Sequence, residues 1–355
     1  MPGETTLMSI NTRLNKLLRV DHPIMLAAMD LVADGNLTLA VSRAGAFGIL
    51  GAGYGNASWL ARELDVLADR RGADAVRFGV GFITWSLARQ PALLDQALEA
   101  KPDAVWLSFG DPAPFVGRIK AAGALVICQV QSEAMAVDAV DKGADIIVAQ
   151  GSEAGGHGIS RGSFALVPAV VDRVGHKVPV VLAGGVADGR GLAAALMLGA
   201  HGVVIGTRFY ACKDAAGRPE AKARIVAASG DDTVRSVVFD VSRENVWPAP
   251  YTGRCLVNAH TRKWAGREFD LMRHWHEEKA AYLAARDNAD FDIAAVIAGE
   301  AVSLIDDVPT AADIVARIVA EASDLVTGAG ARDNEGRPSP PRHGVSGKQI
   351  ASPFI

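Results

Sequence analysis

Four times in this chain an Ala-containing stretch ends in a glycine and gives way to an apolar run. The instances are SRAGAFGIL from Ser42, KAAGALVICQV from Lys120, DKGADIIVAQG from Asp141 and LMLGAHGVVIG from Leu196. A glycine just past a helix takes the left-handed conformation that closes it. The runs behind it, such as Ile146–Val148 and Val203–Ile205, lack polar alternation, so both faces are covered, as in parallel strands. Runs of this kind fall at about 24–29, 46–50, 76–83, 104–108, 124–130, 145–150, 179–184 and 202–206. Helical stretches separate most of them, at about 58–70, 91–100, 132–142 and 188–198. Strands and helices alternating in this way over about two hundred residues predict a (β/α)8 TIM barrel. A doubly wound sheet is the competing arrangement and would carry a dinucleotide fingerprint. GAGYGN from Gly51 fails that test, because Asn56 stands where the third glycine belongs.

The pattern changes after the last run. Residues 231–265 carry Trp247, Pro248, Pro250 and Trp264 without helical repetition and read as an insertion. Helical periodicity returns at Arg267–Ala284 and Ala311–Leu325. The expected organisation is a lead-in over 1–22, a barrel over 23–230, and an insertion with a helical cap or closing segment over 231–325, its helices covering the barrel mouth or its flank. A flexible tail rich in Gly, Pro and Ser follows over 326–355. With half its residues hydrophobic, the chain can bury a large core, and a net charge of −4 without a basic block argues against a nucleic-acid partner. Cys128, Cys212 and Cys255 match no zinc spacing and suit a reducing compartment. The stretch Ala44–Ala61 is uncharged, but five glycines punctuate it, so no membrane span is expected. The opening residues lack the apolar core of a signal peptide, and the expected location is cytoplasmic. A homo-oligomer is compatible with the sequence.

Barrel chemistry collects where strands end, because the following loops converge there. The seventh run ends in Gly184 and Gly185 and the eighth in Gly206 and Thr207. Such tips let backbone N–H groups approach a phosphate, assisted by the helix N-terminus that follows. The sixth run ends in QGSEAGGHG, where Gln150 sets an amide at the barrel mouth suited to the pyrimidine edge of an isoalloxazine. Gly155 and Gly156 give this loop a flexible turn that carries His157 over the cavity. Gln129, ending the fifth run, is a second candidate contact. Glu153 reads equally as catalytic or solvated, and Trp85, Trp106 and Phe109 read equally as pocket wall or barrel core. His274, His276, Glu277 and Glu278 crowd one helix, but the two histidines point to different faces, so no metal site is expected.

These stretches resemble the nitronate monooxygenase family, formerly called 2-nitropropane dioxygenases. AQGSEAGGHG, the LVP at Leu166 and PVVLAGGVADGRGLAAALMLGAHGVVIGTRF look like its signature. PIMLAAMD from Pro23 resembles its first strand, with Ala28 where proline is common, and GAFGILGAGY, FGVGFI and GEAVSLIDDVPTAADIV add support. The resemblance implies noncovalent FMN at the barrel mouth. Its phosphate would meet Gly184, Gly185, Gly206 and Thr207, its ring would lie near Ala27, Ala28, Met29, Gln129 and Gln150, and Gly151, Gly155 and Gly156 would border it. His157 would then act as base on a nitroalkane or position the nitronate, with O2 completing oxidation to a carbonyl compound and nitrite. Some members line the pocket with several tyrosines and a lysine. The four tyrosines here, Tyr54, Tyr210, Tyr251 and Tyr282, do not align with such a cluster.

Two alternatives share these motifs. One is an FMN-dependent NAD(P)H reductase, of the quinone or enoyl-acyl-carrier-protein type, and the other is a flavin-binding protein without turnover. A barrel of the inosine-monophosphate dehydrogenase kind would need a nucleophilic cysteine after the sixth strand, and residues 151–166 contain none.

Overall fold

The computed structural model describes residues 10–70 and 76–328, so most of the expected tail lies outside the described residues. Eight parallel strands form the barrel: β1 (Ile24–Leu26), β2 (Gly48–Gly53), β3 (Phe78–Ile83), β4 (Ala104–Ser108), β5 (Leu125–Val130), β6 (Ile146–Gln150), β8 (Val180–Ala183) and β9 (Val203–Ile205). Their order is β1-β9-β8-β6-β5-β4-β3-β2. The two ends meet through a parallel bridge between Met25 and Phe47, with Leu26 N–H donating to the Phe47 carbonyl at 2.9 Å. Seven of the eight expected runs contain one of these strands, the run at 46–50 overlaps β2, which continues to Gly53, and the fold is a (β/α)8 barrel.

Successive residues of a strand face opposite sides. On β4, Trp106 points into the barrel, while Val105 and Leu107 point to the surrounding helices. Both sides are apolar, which is why the strands read as unbroken hydrophobic runs. Trp106 packs with Met25, Phe47, Ile49 and Ile127, and so belongs to the barrel interior rather than to the pocket wall. The helix Arg13–Leu18 joins the same interior through Leu14 and Leu18. Thr12 caps its N-terminus, and the Thr12 hydroxyl also donates to the His201 carbonyl at 2.6 Å.

After β9 the ring of helices is interrupted. Its closing helix, Ala311–Val326, packs against helices Gly189–Met197 and Gly35–Arg43 and buries Ile314, Val315 and Ile318 in the outer core. Of the segment expected to act as cap or closing segment, this helix is the closing part: its apolar face completes the barrel wall, and the intervening residues form the cap.

That cap is not irregular. β7 (Gly156–Gly158) pairs antiparallel with β11 (Thr252–Leu256), which pairs with β10 (Thr233–Ser236). The helix expected at Arg267–Ala284 is two helices, Glu268–Arg273 and Trp275–Asp287. They break at His274, whose Nδ1 takes the Asp270 carbonyl at 2.9 Å, the acceptor its backbone N–H would use in a continuous helix. No helix among the described residues is long and apolar enough to cross a membrane.

Leu14 is fully buried at the base of the barrel interior. Leu14→Ala is expected to lower unfolding stability by about 2–5 kcal/mol, read from urea denaturation. A loss below about 1 kcal/mol would show that the helix does not plug the barrel.

Candidate active site

Gly155 and Gly156 were expected to form a flexible turn; in the structure the turn is closely packed and tied down. A Cβ on Gly155 would lie 2.7 Å from the Ala298 carbonyl carbon, so this glycine serves close backbone packing. Gly156 has φ +77° and opens β7. Arg235 ties the loop down, donating to the carbonyls of Ser152 at 2.9 Å, Ala154 at 3.2 Å and Thr252 at 2.6 Å. Arg254 adds a bond to the Ser152 carbonyl at 3.0 Å. Glu153 is structural: its carboxylate accepts from the N–H and hydroxyl of Ser163 at the start of helix Ser163–Val174.

His157, at the centre of β7, is buried, with 8 % of its surface exposed. Its Nε2 lies 2.9 and 3.1 Å from the two carboxylate oxygens of Asp240. Arg243 donates to the same carboxylate at 2.8 Å. The Trp247 indole stacks on the imidazole, with centroids 3.4 Å apart and planes within 6°. Phe109 and Tyr251 meet Trp247 edge-on, as do Tyr54 and Trp85. Burial lowers the His157 pKa below its usual value, and the opposing pull of Asp240 is the smaller effect. The imidazole is therefore neutral at physiological pH. Trp85 and Phe109 thus belong to this aromatic wall, as do two of the four tyrosines. Tyr210 and Tyr282 lie in the cap's own core.

Most of the other expected residues converge on the same end of the barrel. Gln129 and Gln131 both donate to Oε1 of Gln150, at 2.9 and 2.8 Å. Gln131 was not expected, and its own Oε1 is buried without a partner among the described residues. A Cβ on Gly206 would lie 3.4 Å from that of Ala27 and 3.7 Å from the Met29 sulfur. Ala28 packs against Gly81. Gly184 and Gly185 have φ of +108° and +76°, and Gly184 abuts the Gly151 carbonyl and Ala154 N–H. Thr207 Oγ1 accepts from Gly299 N–H at 3.0 Å, linking the tip of β9 to the cap. One expectation changes. The helix after β8 is not open to an anion, because Asp188 caps Arg190 and Gly191 and Glu321 takes Gly189 N–H. The N–H groups of Gly184, Gly185, Gly206 and Thr207 donate to no backbone acceptor among the described residues.

Asp240 and Arg243 escaped the sequence reading, and Trp247 was noted only as part of the insertion, because no periodicity or motif there marks a site residue. Gln131 lay one alternation beyond Gln129 on the same face and was findable.

The barrel, with polar backbone and amides at its strand ends beneath an aromatic wall, is that of a flavin-dependent oxidoreductase. The chain belongs to the nitronate monooxygenase family: the family model described as "Nitronate monooxygenase" matches residues 83–321. It is 35% identical over 335 residues to nitronate monooxygenase npaC of Metarhizium robertsii, covering 86% of this chain and 92% of that protein. Among solved structures it is similar to FabK from Thermotoga maritima, with TM-score 0.80 and 31% identity over 90% of this chain and 99% of that one. Nitroalkane oxidase from Streptomyces ansochromogenes gives TM-score 0.74 and 25% identity over 89% and 99% of the two chains.

Trp247 excludes water from one face of His157. In Trp247→Ala the imidazole should hydrate and its pKa rise toward 6.5, the usual value. An NMR titration reads this directly, and an unmoved midpoint would contradict the desolvation argument.

Proposed function

We propose that this protein oxidises alkyl nitronates with O2, using noncovalently bound FMN, to a carbonyl compound and nitrite. The observation that carries the reading is His157, a neutral imidazole buried at the strand-end face and walled by aromatic rings. A base of this kind can take the α-proton of a neutral nitroalkane, whose carbanion is stabilised as the nitronate. The apolar surroundings suit small alkyl groups.

Two features fit FMN. Gln131 Oε1 is a buried acceptor lacking a donor, beside the Gln129–Gln150 amides, which matches the mixed donor and acceptor edge of a flavin pyrimidine. The left-handed Gly184–Gly185 tip and Gly206–Thr207 leave backbone N–H groups free for a single phosphate. Gln129, Gln150 and Gln131 would hold the ring edge, Ala27, Ala28 and Met29 would border the ring, and Gly151, Gly155 and Gly156 would shape the adjoining loop. FMN would supply the oxidation of the nitronate and the reaction with O2. The chain's part is to bind the nitronate, exclude water and hold the proton on His157.

His157→Asn should reduce turnover of a neutral nitroalkane by about 10²–10⁴ and spare a preformed nitronate, at equal flavin content and saturating O2. Equal loss on both would assign His157 to anion positioning, and unchanged rates on both would remove it from the mechanism. Heat release should yield FMN; recovery of FAD would overturn the phosphate assignment. Bleaching of the flavin by NADH under anaerobic conditions, with no nitronate turnover, would replace this reading with the reductase alternative.

A further inference from the structure

We infer that Asp240, held in place by Arg243, is a positioning residue that makes Nδ1 of His157 the proton-accepting atom. The inference rests on the reading of His157 as the base and goes beyond it by assigning the nitrogen and its partner. An ionised carboxylate only accepts hydrogen bonds, so the nitrogen facing it must carry hydrogen. Nε2 lies 2.9 and 3.1 Å from the two Asp240 oxygens, and is therefore the N–H. The neutral ring then leaves its lone pair on Nδ1, for which no protein donor is found among the described residues. In the proposed step the substrate Cα–H bond breaks, its proton passes to Nδ1, and its electron pair forms the C=N bond of the nitronate. The Nε2 proton stays on the resulting imidazolium, facing Asp240.

The carboxylate is held on several sides. Arg243 Nη2 donates to Oδ1 at 2.8 Å and Arg243 Nε to the Phe239 carbonyl at 3.0 Å, so the guanidinium is itself fixed. Asp240 stands on helix Val238–Ser242, and Ser242 Oγ, fully buried, meets His260 Nε2 at 2.7 Å. The charged groups acting on His157 are Asp240 and Arg243 from this segment and Arg235 from β10. Both cations oppose protonation of the ring, and Asp240 is the group that favours it. A carboxylate 6 % exposed needs partners for both oxygens, and one of the partners chosen here is the imidazole.

The test uses the purified full chain with His selectively labelled by 15N. In the wild type at neutral pH the His157 signals should show the Nε2–H tautomer; an Nδ1–H tautomer would overturn the inference without any variant. In Asp240→Asn the side-chain amide can donate to Nε2, so the Nδ1–H tautomer should gain population and the His157 midpoint should fall by about one pH unit or more. With a neutral nitroalkane, the acidic limb of kcat/KM should move down by the same amount while its plateau drops about 10²-fold. Asp240→Glu should restore the tautomer and most of the limb. A purely structural tie between cap and barrel would lower the plateau but leave the tautomer and the limb unmoved, and that result would overturn the inference. If wild-type protein turns over no nitroalkane or nitronate, the functional reading fails while the tautomer and titration still judge the role of Asp240.

Discussion

The backbone from Gly151 to Gly158 has little side-chain bulk of its own, and everything at the mouth of the barrel depends on how it is held. Four of its eight residues are glycines, and a chain so free loses much entropy on ordering. The compensating contacts come from elsewhere. β11 supplies a strand partner, Arg235 collects the carbonyls of Ser152 and Ala154, and Glu153 anchors the loop to the helix behind it. The absence of Cβ atoms then has a packing use, since residues 298 and 299 lie against the loop at distances that only glycine permits. The segment that carries His157 is thus held by the cap.

Charge at this site is also shared between barrel and cap. Arg243, from the cap, acts on Asp240 of its own segment and on Asp30 just beyond β1. Burial pushes the Asp30 carboxyl up to about 6, with Arg243 and the Tyr54 N–H opposing. Its folded value lies above 3.8, so protons bind the folded state more tightly, and this group's contribution to stability is lost as pH rises from 3.8 through about 6. His157 has the opposite sign. Its lowered value favours the folded state as pH rises toward 6.5, because the unfolded chain then loses a proton that the folded one does not hold. Above both windows the site holds an ionised Asp30 and a neutral His157.

How much of this was legible in the sequence follows from what each part is made of. The barrel was legible because two-sided burial forces unbroken apolar runs, and helix closure before a buried strand calls for glycine at positions such as Gly123, Gly143 and Gly199. The position of the tips Gly184–Gly185 and Gly206–Thr207 at the ends of β8 and β9 was legible in the same way, because they follow directly on unbroken apolar runs. His157 was legible by its place after β6. Its surroundings were not. Asp240 and Trp247 stand 83 and 90 residues beyond it, in a segment whose strands are four and five residues long and whose helices are five and six. Elements so short show no period, and a lone aspartate or tryptophan there reads as surface or core with equal ease.

The placement of the insertion explains why this division matters for chemistry. A barrel needs its last helix to cover β9 and β1, and Ala311–Val326 does this from far along the chain, because an amphipathic helix packs wherever its apolar face is completed. The chain between can therefore vary without opening the barrel. It is rooted at the strand ends by Thr207 meeting Gly299 and by Arg208 paired with Asp307 at 2.9 Å, so its residues return over the mouth in fixed positions. The backbone groups suited to a flavin belong to the barrel, where strand geometry dictates them. Asp240, Trp247 and Tyr251 belong to the insertion, where only contacts with the His157 loop and the rings of Tyr54, Trp85 and Phe109 constrain them. The glycine tips and amides thus come from the barrel alone. The aromatic surface beside the histidine is built jointly, with Trp247 and Tyr251 from the cap meeting Tyr54, Trp85 and Phe109 from the barrel.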